Sequence, residues 1–423
     1  MKTAPRLLAA ALAVASGLAL AADETFIGGN VESLLAFARE RHPEFAAMRA
    51  EADAAAERVA PAGALPDPNF RVELRDFTNE MSGGSPNLLP SRVGSARYAL
   101  TQTLPWAGKR ELRRDAAAAG ADAALQAARA SWLELATQIK QVYAQHHVHL
   151  YTLRLMGENL DLLQRLADSA QTRYANGLAP QQDVLRALTE RAMLQGDQAM
   201  FEGESAQSSV RMRSLLGRPP ASIKLRPPDV LRPLPPAAKL DFLALEARLL
   251  ANNPQLAIAA ARVTAADKGR ELAYRNRYPD VMVGIAPIQS RTRVAEWELM
   301  VEVNIPLRQD SRRAQERESE RMFEAAGLRR EATLNQALAE LGEALAGLEA
   351  ARRIEALQAT HLLPQAELSW QSALAGYETG KVEFAMVLEA QRQIRRARQD
   401  IVKARGDQQL RLAEIERLIG EEL

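Results

Sequence analysis

The chain has 423 residues, in which 54 Lys and Arg stand against 53 Asp and Glu, and it has no cysteine. This balance of charge gives no basic field of the kind that attracts nucleic acid, so we expect no nucleic-acid partner. Without cysteine we expect no disulfide, no thiolate nucleophile and no lipid attached through a cysteine. The length is sufficient for more than one core.

The N-terminal residues predict a secretory signal peptide. Lys2 and Arg6 precede a short apolar run that ends at Ala19-Leu20-Ala21, an A-x-A cleavage pattern, so residues 1–21 are predicted to be removed on export. The run is too short and too rich in alanine to favour a membrane-spanning helix. Because no later segment has that character either, any membrane insertion is expected to use strands.

Two halves of the chain follow the same plan. His42-Pro43-Glu44-Phe45 is matched by Asn253-Pro254-Gln255-Leu256 at an offset of 254 − 43 = 211 residues, and the Tyr-x-x-Gly at 174–177 is matched at 377–380, an offset of 377 − 174 = 203. The matched segments keep their order, so an internal duplication is predicted. We assign residues 22–225 to the first repeat, 226–236 to a proline-rich linker and 237–423 to the second repeat.

Each repeat is predicted to contain a helix, two strands, a long helix, a turn and a second long helix. Proline lacks an N–H and disfavours helix at the residue before it, so it suits a junction between strand and helix. The junction prolines are Pro68, Pro105, Pro279 and Pro306. The predicted strands are residues 69–78, 92–104, 280–289 and 294–305, and the predicted long helical regions are residues 107–217 and 308–420.

The last predicted strand, AEWELMVEVNIP (295–306), has two chemically different faces. Alternation with a period of two predicts a strand between two environments, here lipid and a water-filled lumen, although a soluble sheet with one solvated face gives the same pattern. Trp106 and Trp297 are expected in interfacial aromatic belts. The residues expected to face lipid are Trp297, Leu299, Val301, Tyr98 and Leu100, and those expected in the lumen are Glu296, Glu298, Glu302, Arg71, Glu73 and Arg97.

The helical regions are long and carry a leucine seam. Residues 108–174 and 308–363 contain no proline, and the first run would extend roughly 100 Å as one helix. Leucines recur at alternating spacings of four and three residues, the pattern of a coiled coil. In the second repeat they are Leu334, Leu338, Leu341, Leu345 and Leu348.

A sheet of four strands cannot close on itself in a membrane. Common barrels have at least about eight strands, and each unpaired backbone group at an open edge costs several kcal/mol in lipid. Because both predicted hairpins run into helices at the same end, several protomers can combine their strands. The fold class is therefore predicted to be mainly α, with long antiparallel helices and a membrane β-barrel shared between chains.

Two segments resemble the TolC-like outer membrane efflux protein family. They are RYANGLAPQQDVLRA (173–187), with the family's Arg-Tyr, Gly, Asp-Val-Leu and Ala, and its second-repeat counterpart GYETGKVEFAMVLEAQ (376–391). The resemblance covers essentially the whole mature chain. It implies a homotrimer in the outer membrane of a Gram-negative bacterium, with a twelve-stranded barrel above an α-helical periplasmic tunnel. It also implies a periplasmic adaptor and an inner-membrane pump as partners. From the residues themselves we expect no catalysis, cofactor or bound metal.

Two further segments resemble the heavy-metal branch of that family, the cobalt–zinc–cadmium and copper–silver efflux channels. They are PDPNF (66–70) and QTLPWAGKRELRRDAA (102–117). The expected function is the exit channel of a tripartite efflux system of the resistance-nodulation-division type for heavy-metal cations. A channel for drugs or for type I protein secretion has the same plan.

Two functions of other classes also fit parts of the sequence. A periplasmic adaptor also has helical hairpins, but it should carry a domain of many short strands, and we find no such pattern. An outer-membrane hydrolase could use Glu296 and Glu298 as paired carboxylates on one strand. No nucleophile motif or metal-ligand cluster accompanies them, so an enzyme is not expected.

The resemblance assigns roles to residues at the two helix turns. The expected adaptor-docking tips are Gly177, Leu178, Gly380 and Lys381, although a helix C-cap glycine explains either turn alone. Tyr377 and Glu389 match the family's periplasmic gate, whereas Met386 stands where a second carboxylate is expected and Val382 where a basic residue is expected. Three copies of Glu389 in a narrow mouth would favour cations.

Two features near the turns leave alternatives open. Asp183 is the gate candidate of the first repeat, or it caps the helix that follows Pro180. His146, His147 and His149 form a cluster in which the first and last share a helix face, as a metal pair would. Two such ligands are not a full metal site, so we interpret the cluster as surface or inter-helix packing.

Overall fold

The computed structural model describes residues 27–80, 84–217, 225–228, 230–305 and 307–423. The predicted signal peptide and Pro306 lie outside this part of the chain. The chain divides into two compact units, each described below by itself. Of the described residues, the first unit takes those in 27–40 and 142–231, and the second takes those in 41–141 and 232–423.

Most of the described residues are helical. The helices are α1 (Val31–Arg41), α2 (Pro43–Glu57), α3 (Val59–Gly63), α4 (Lys109–Ala175), α5 (Gln181–Leu215), α6 (Phe242–Asn252), α7 (Pro254–Arg275), α8 (Gln309–Leu357), α9 (Leu363–Glu378) and α10 (Phe384–Ile419). The strands are β1 (Asn69–Arg75), β2 (Ser95–Leu104), β3 (Val281–Ser290) and β4 (Arg293–Val303). No helix in the described ranges combines the length and the apolar character that crossing a membrane requires.

The duplicated sequence segments begin the same element in both halves. Nδ1 of His42 accepts a hydrogen bond from the N–H of Phe45 (3.4 Å) at the start of α2, and Oδ1 of Asn253 accepts one from the N–H of Leu256 (3.0 Å) at the start of α7. In both helices proline follows the cap, at a position whose N–H has no partner within the helix. The sequence repeat is therefore also a repeat of local structure.

The four strands form one antiparallel sheet in the order β1-β2-β3-β4. Arg97 of β2 lies opposite Glu73 of β1 and opposite Ile288 of β3. Residues paired in this way point to the same face, so that face can be traced from strand to strand. Gly284 of β3 lies where the strands approach closely, because a Cβ there would be 2.7 Å from Cγ2 of Thr101. Within the described residues, β1 and β4 each pair along one edge only.

The strand ends follow the backbone conformation of the loops. β1 begins at Asn69 as predicted but ends three residues sooner than predicted, because Asp76 has a φ of 55°, a left-handed conformation that interrupts a strand. β2 correspondingly begins at Ser95 rather than at residue 92. In the second hairpin, Arg291 (φ 57°) makes the short turn between β3 and β4.

The long helix of the first repeat is continuous, whereas its counterpart is interrupted. α4 has 67 residues without a break. In the second repeat a π-helical turn, Gln358–Leu362, separates α8 from α9. The repeat offset grows from 306 − 105 = 201 at the strand ends to 203 at the turns, and the π turn lies in that interval. A wide turn of this kind accommodates an additional residue within a helix.

The core of the second unit lies between α6, α8 and α10. Leu341, Leu345 and Leu348 of the predicted leucine seam are buried there, and Leu338 is partly buried against the same cluster. They contact apolar side chains of the other two helices, which are Leu245, Leu249, Ile415, Leu418 and Ile419. The seam therefore joins neighbouring helices, as its spacing predicts.

A buried carboxylate fixes the linker and the C-terminus in the second unit. Glu416 is 3% exposed and accepts hydrogen bonds from both terminal nitrogens of Arg232 (3.2 and 2.9 Å) and from Nζ of Lys140 (2.8 Å). Burial raises the pKa of Glu416, but the Arg232 hydrogen bonds and the Lys140 charge outweigh burial and hold the pKa below its ordinary value. Removing one partner of such a group costs about 3–5 kcal/mol.

The first unit is held by α4, α5 and the chain segments beside them. The hydroxyl of Tyr143 donates to the carbonyls of Gly29 (2.9 Å) and Val230 (3.2 Å), and a parallel bridge joins Ile27 to Leu225. These contacts fasten the segment before α1 and the start of the linker to α4. The largest buried side chains of this unit include Leu34, Met156, Leu163 and Leu194.

Candidate functional site

The register of the sheet separates its side chains into a polar face and an apolar face. The polar face follows the opposed pairs Glu73–Arg97, Arg97–Ile288 and Ile288–Glu296. It contains all six residues predicted to line a lumen, which are Arg71, Glu73, Arg97, Glu296, Glu298 and Glu302. The apolar face contains the five predicted to face lipid, which are Tyr98, Leu100, Trp297, Leu299 and Val301.

Charges on the polar face neutralise one another around Arg97. Its Nε lies 2.8 Å from Oε2 of Glu298, and its Nη1 lies 3.3 Å from Oε2 of Glu73. The Arg97 side chain is only 12% exposed, so it requires both carboxylates. Glu296 and Glu302 have no ion pair with any described residue and leave the face acidic on β4.

The apolar face is exposed. Trp297, Leu299 and Val301 are 67%, 81% and 62% exposed, and Leu100 of β2 is 48% exposed. A large contiguous apolar surface marks an interaction with another protein or a membrane. Tyr98 adapts to this face by donating its hydroxyl to Oε1 of Gln289 (3.1 Å).

The end of the sheet nearest the helices is fastened by one aspartate. Oδ1 of Asp280 accepts hydrogen bonds from the backbone N–H of Trp106 (2.8 Å) and from Nζ of Lys109 (2.9 Å). Lys109 is 3% exposed and also donates to the carbonyl of Tyr278 (2.8 Å). The rings of Trp106 and Tyr278 stack with centroids 5.0 Å apart. These contacts fix the β2–α4 junction to the α7–β3 junction.

The first turn, residues 173–180 between α4 and α5, ends its helix in a Schellman motif. The N–H of Leu178 donates to the carbonyl of Arg173 (2.8 Å), and the N–H of Gly177 donates to that of Tyr174 (2.9 Å). Gly177 has a φ of 69°, which glycine adopts without strain. Leu178 is 67% exposed, so the tip presents an apolar side chain.

The second turn, residues 376–383 between α9 and α10, has the same backbone. The N–H of Lys381 donates to the carbonyl of Gly376 (2.8 Å), and the N–H of Gly380 donates to that of Tyr377 (3.0 Å). Gly380 has a φ of 73°. Both predicted tips are therefore helix ends of one geometry, and their role in docking stays a prediction.

The second turn is stabilised by packing among its own side chains. Tyr377 is 7% exposed, and its ring lies 5.1 Å from that of the buried Phe384. A Cβ on Gly376 would be 2.5 Å from Cγ2 of Val382, so Val382 packs directly on the glycine. The Tyr377 ring therefore contributes to the packing of its own hairpin.

The other predicted gate residues lie in different environments. Met386 is 59% exposed, and Glu389 has an exposed carboxylate 3.4 Å from Nη1 of Arg392. Asp183 is buried in the first turn of α5, where the helix dipole favours a carboxylate. The Pro180 N-cap makes no side-chain hydrogen bond. A gating role for any of these residues stays a prediction.

The histidine cluster packs between helices of the first unit. Nδ1 of His146 lies 2.8 Å from Oγ of Ser208, and that hydroxyl donates to the carbonyl of Ser205 (2.8 Å). Because the hydroxyl hydrogen is used, Nδ1 of His146 carries the proton in this hydrogen bond. Nε2 of His149 lies 3.7 Å from Oε2 of Glu204. Among the described residues no three His, Asp or Glu side chains are placed to hold a metal ion.

The surroundings of His146 disfavour its charged form. Burial and, to a smaller extent, nearby positive charge together lower its pKa from 6.5 to about 4. The contributing groups, in decreasing order, are His149, Arg213 and His147. The ring is therefore a neutral packing group at ordinary pH.

Two structural sites were not found from the sequence. Asp280 directly follows the junction proline Pro279, and Lys109 lies four residues after the junction proline Pro105, so opposite charges near two strand–helix junctions are the signal that could have identified them. Glu416 lies on a helix rich in charge, and nothing in its sequence surroundings distinguishes it from an exposed glutamate.

A sequence profile of the family described as Outer membrane efflux protein matches the chain over residues 34–218 and 245–421. A comparison with curated protein sequences gave no match. The chain is similar in structure to a membrane protein from Pseudomonas aeruginosa, with a TM-score of 0.80 and 20% identity over 94% of this chain and 91% of that one.

Two further solved structures are similar over comparable lengths. The outer membrane protein VceC from Vibrio cholerae has a TM-score of 0.79 and 17% identity over 93% of this chain and 96% of its own. CusC, whose structures concern conformational changes accompanying folding and transmembrane channel formation, has a TM-score of 0.79 and 18% identity over 94% of this chain and 93% of its own. At these identities the likeness establishes a common fold.

Proposed function

Because the chain belongs to the outer membrane efflux protein family, we propose that it is the trimeric exit channel of a tripartite efflux system. The family is one of channels rather than enzymes, and the mainly helical fold with one four-stranded sheet is that of solved outer-membrane channels. The proposal places the sheet in the outer membrane and the long helices in the periplasm.

The exposed apolar face carries this proposal. Trp297, Leu299 and Val301 are at least 62% exposed on one side of β4, while Glu298 on the other side is held by Arg97. In water such a surface would favour aggregation, whereas in a bilayer it would meet hydrocarbon. The polar face would then line an aqueous lumen, where charged side chains remain hydrated.

The open edges of the sheet support the association of several copies. The backbone groups on the outer edges of β1 and β4 would be costly in lipid without partners. Pairing β4 of one copy with β1 of the next gives each copy two equal junctions in a closed ring. Three copies give twelve strands, the number that the family resemblance implies.

The partners follow from the same resemblance. A periplasmic adaptor would dock at the two turns, and an inner-membrane pump would supply the energy. The apolar Leu178 and the cationic Lys381 at the two tips, both exposed, are suited to such contact. The gate would lie near the turns and include Tyr377, Glu389 and Asp183.

Heavy-metal cations are the proposed cargo. The support is the resemblance of the segments at 66–70 and 102–117 to metal-efflux channels, and the unpaired Glu296 and Glu302 on the polar face. An acidic lumen raises the local concentration of cations. A drug-efflux channel of the same plan is the second candidate.

The location and the copy number can be tested together. The full chain is expressed in a Gram-negative host, membranes are separated by density, and the mass of the detergent-solubilised protein is measured. We expect the outer-membrane fraction and a mass of three mature chains. A water-soluble monomer that requires no detergent would contradict the proposal.

The cargo requires a separate experiment. Deletion of the gene in its own host is compared with the parent for growth on copper, silver, zinc, cobalt and a panel of antibiotics. We expect increased sensitivity to one or more metals, restored by the wild-type chain. Sensitivity to antibiotics alone would support the drug-efflux candidate instead.

A further inference from the structure

The apolar face continues beyond the strands toward the helices. Leu104, the last residue of β2, is 39% exposed, and Trp106, two residues later in the chain, is 37% exposed. After β4, Ile305 and Leu307 continue the period of Val301 and are 67% and 82% exposed. The apolar surface therefore reaches the level where the helices begin.

An aromatic pair marks this end of the surface. The rings of Trp106 and Tyr278 are nearly parallel, with an interplanar angle of 9°. Tyr278 is 45% exposed, and the hydrogen bond from Trp106 to Asp280 fixes the position of the pair. Tryptophan and tyrosine prefer the level of lipid headgroups, where one part of the ring system is apolar and another meets water.

Two arginines without ion pairs lie at the same level. The guanidinium of Arg275 lies over Gly108, since a Cβ on that glycine would be 3.8 Å from both Cζ and Nε of Arg275. Arg308 directly follows Leu307 in the chain. Both arginines are exposed, and neither forms an ion pair with any residue that the structure describes. Other arginines nearby are engaged, as Arg277 is with Glu316 (2.6 Å).

We infer that Trp106, Tyr278, Arg275, Arg308 and Leu307 form a collar that binds the headgroups of anionic phospholipids in the periplasmic leaflet. The inference rests on the proposed membrane insertion, which would put this level where acyl chains give way to phosphates. The aromatic rings and Leu307 contact the upper acyl chains, and the two guanidinium groups hydrogen-bond the phosphate oxygens.

The chemistry favours a phospholipid over a free anion. A guanidinium donates two parallel hydrogen bonds to a phosphate, but at an exposed site this attraction is screened in water. The adjoining apolar surface adds a contact that only a lipid can make. A headgroup with net negative charge is preferred because a zwitterionic headgroup carries its own cation to the phosphate.

The collar is tested by native mass spectrometry of the detergent-solubilised full assembly. Phosphatidylglycerol or phosphatidylcholine with identical acyl chains is added, and the apparent affinity for each is measured. The test variant is Arg275→Gln with Arg308→Gln. The control is Arg353→Gln with Arg396→Gln, two exposed arginines on α8 and α10 that remove the same charge.

We expect wild type and control to prefer phosphatidylglycerol, and the test variant to bind it about tenfold more weakly with little change for phosphatidylcholine. Equal binding of phosphatidylglycerol by the test variant and the control would overturn the inference. Displacement of the lipid by excess inorganic phosphate alone would also overturn it, since the site would then be a simple anion site. Outer-membrane fractionation, run in parallel, separates these results from a failure of the proposed function.

A second variant keeps the result interpretable if the double substitution impairs folding. Arg275→Lys with Arg308→Lys retains both charges but loses the guanidinium geometry. We expect intermediate phosphatidylglycerol affinity for this variant. Affinity equal to that of the glutamine variant, in an assembly of correct mass, would contradict a contribution from charge.

Discussion

The first and second turns end their helices with the same pair of hydrogen bonds and the same left-handed glycine, 203 residues apart. Around that shared backbone the side chains differ. Phe384 packs on Tyr377 in the second turn, and the first turn has Gln181 at the position of Phe384. Tyr174 is consequently 41% exposed where Tyr377 is 7% exposed.

The difference extends up the returning helices. Leu388 of α10 is 4% exposed, whereas Leu185, at the same repeat position in α5, is 55% exposed. The second turn has a small residue, Gly376, in contact with a larger one, Val382. The first turn has the reverse order of size at these positions, Arg173 and Ala179. The glycine and its hydrogen bonds thus determine the path of the chain, while residues outside the motif determine which surface each turn presents.

The largest expected effect sharpens the contrast in packing. Phe384→Ala removes a side chain that is 1% exposed and should destabilise the second hairpin by about 3–5 kcal/mol. The matched Gln181→Ala should change the first hairpin by less than about 0.5 kcal/mol. Hydrogen exchange of the amides in both turns measures each effect locally. Equal responses in the two hairpins would refute the contrast.

The close contact at Gly376 gives a smaller effect. Gly376→Ala places a Cβ against Val382 and should cost about 1–3 kcal/mol, because overpacking outweighs the better helix propensity of alanine. Adding Val382→Ala should restore most of the loss, as the first turn already has alanine there. Thermal unfolding of the detergent-solubilised protein measures both variants. No loss in the single variant would show that the contact is easily relieved.

Acid should weaken the first repeat through His146. The pKa of His146 lies at about 4 in the fold, below its ordinary 6.5, so the unfolded chain binds the proton more readily. The stability contribution of the neutral ring is complete above about pH 6.5, is lost as pH falls toward 4, and does not fall further below that. We expect the free energy of unfolding to fall by about 1–2 kcal/mol over this range, less than the full pKa shift would give, because solvent reaches part of the ring.

The His146→Asn variant provides the measurement for this pH dependence. The free energy of unfolding of α4 and α5 in urea is measured by hydrogen exchange at several pH values between 7 and 4. In this variant the dependence of that free energy on pH should be mostly lost. His361→Asn, an exposed histidine of the π turn in the second repeat, is the control and should keep the wild-type slope. A parallel slope in His146→Asn and wild type would assign the acid effect to other groups.

The smallest effect concerns what the turns share. Gly177→Ala and Gly380→Ala should each lower the free energy of unfolding by about 1 kcal/mol, and by similar amounts. No atom lies within 4 Å of either new Cβ, so only the left-handed backbone is strained. Gly157→Ala within α4, which also has open space around it, should instead stabilise by up to about 1 kcal/mol. Thermal unfolding compares the three. Clearly unequal costs at the two turns would contradict the common backbone.

Features that repeat locally could be predicted from the sequence. The period-two alternation around Trp297 predicted the two faces of β4, and the matched Tyr-x-x-Gly segments predicted both turns. Continuous helix without proline gave α4 with an error of about one residue at each end. Each of these depends on neighbours in the chain, so one sequence contains the necessary information.

Features that depend on distant partners could not be predicted. Lys109 and Asp280 are 171 residues apart, and Lys140 and Glu416 are 276 apart, so their pairing appears only when the chain is folded. The burial of Tyr377 depends on its contact with Phe384, which its likeness to a family position does not reveal, and its gating role stays a prediction. The π turn follows from a two-residue difference in repeat offset that sequence alone does not locate.

The most direct test of the account asks what each side of β4 contacts in a bilayer. The chain has no cysteine, so single cysteines can be placed at each position from 296 to 302, labelled with a nitroxide and reconstituted in lipid. Collision with oxygen, which dissolves in hydrocarbon, and with a polar nickel chelate is then measured by electron paramagnetic resonance. We predict oxygen contact at positions 297, 299 and 301 and chelate contact at 296, 298 and 302. Chelate contact at all seven positions, without alternation, would contradict a strand between lipid and a water-filled lumen.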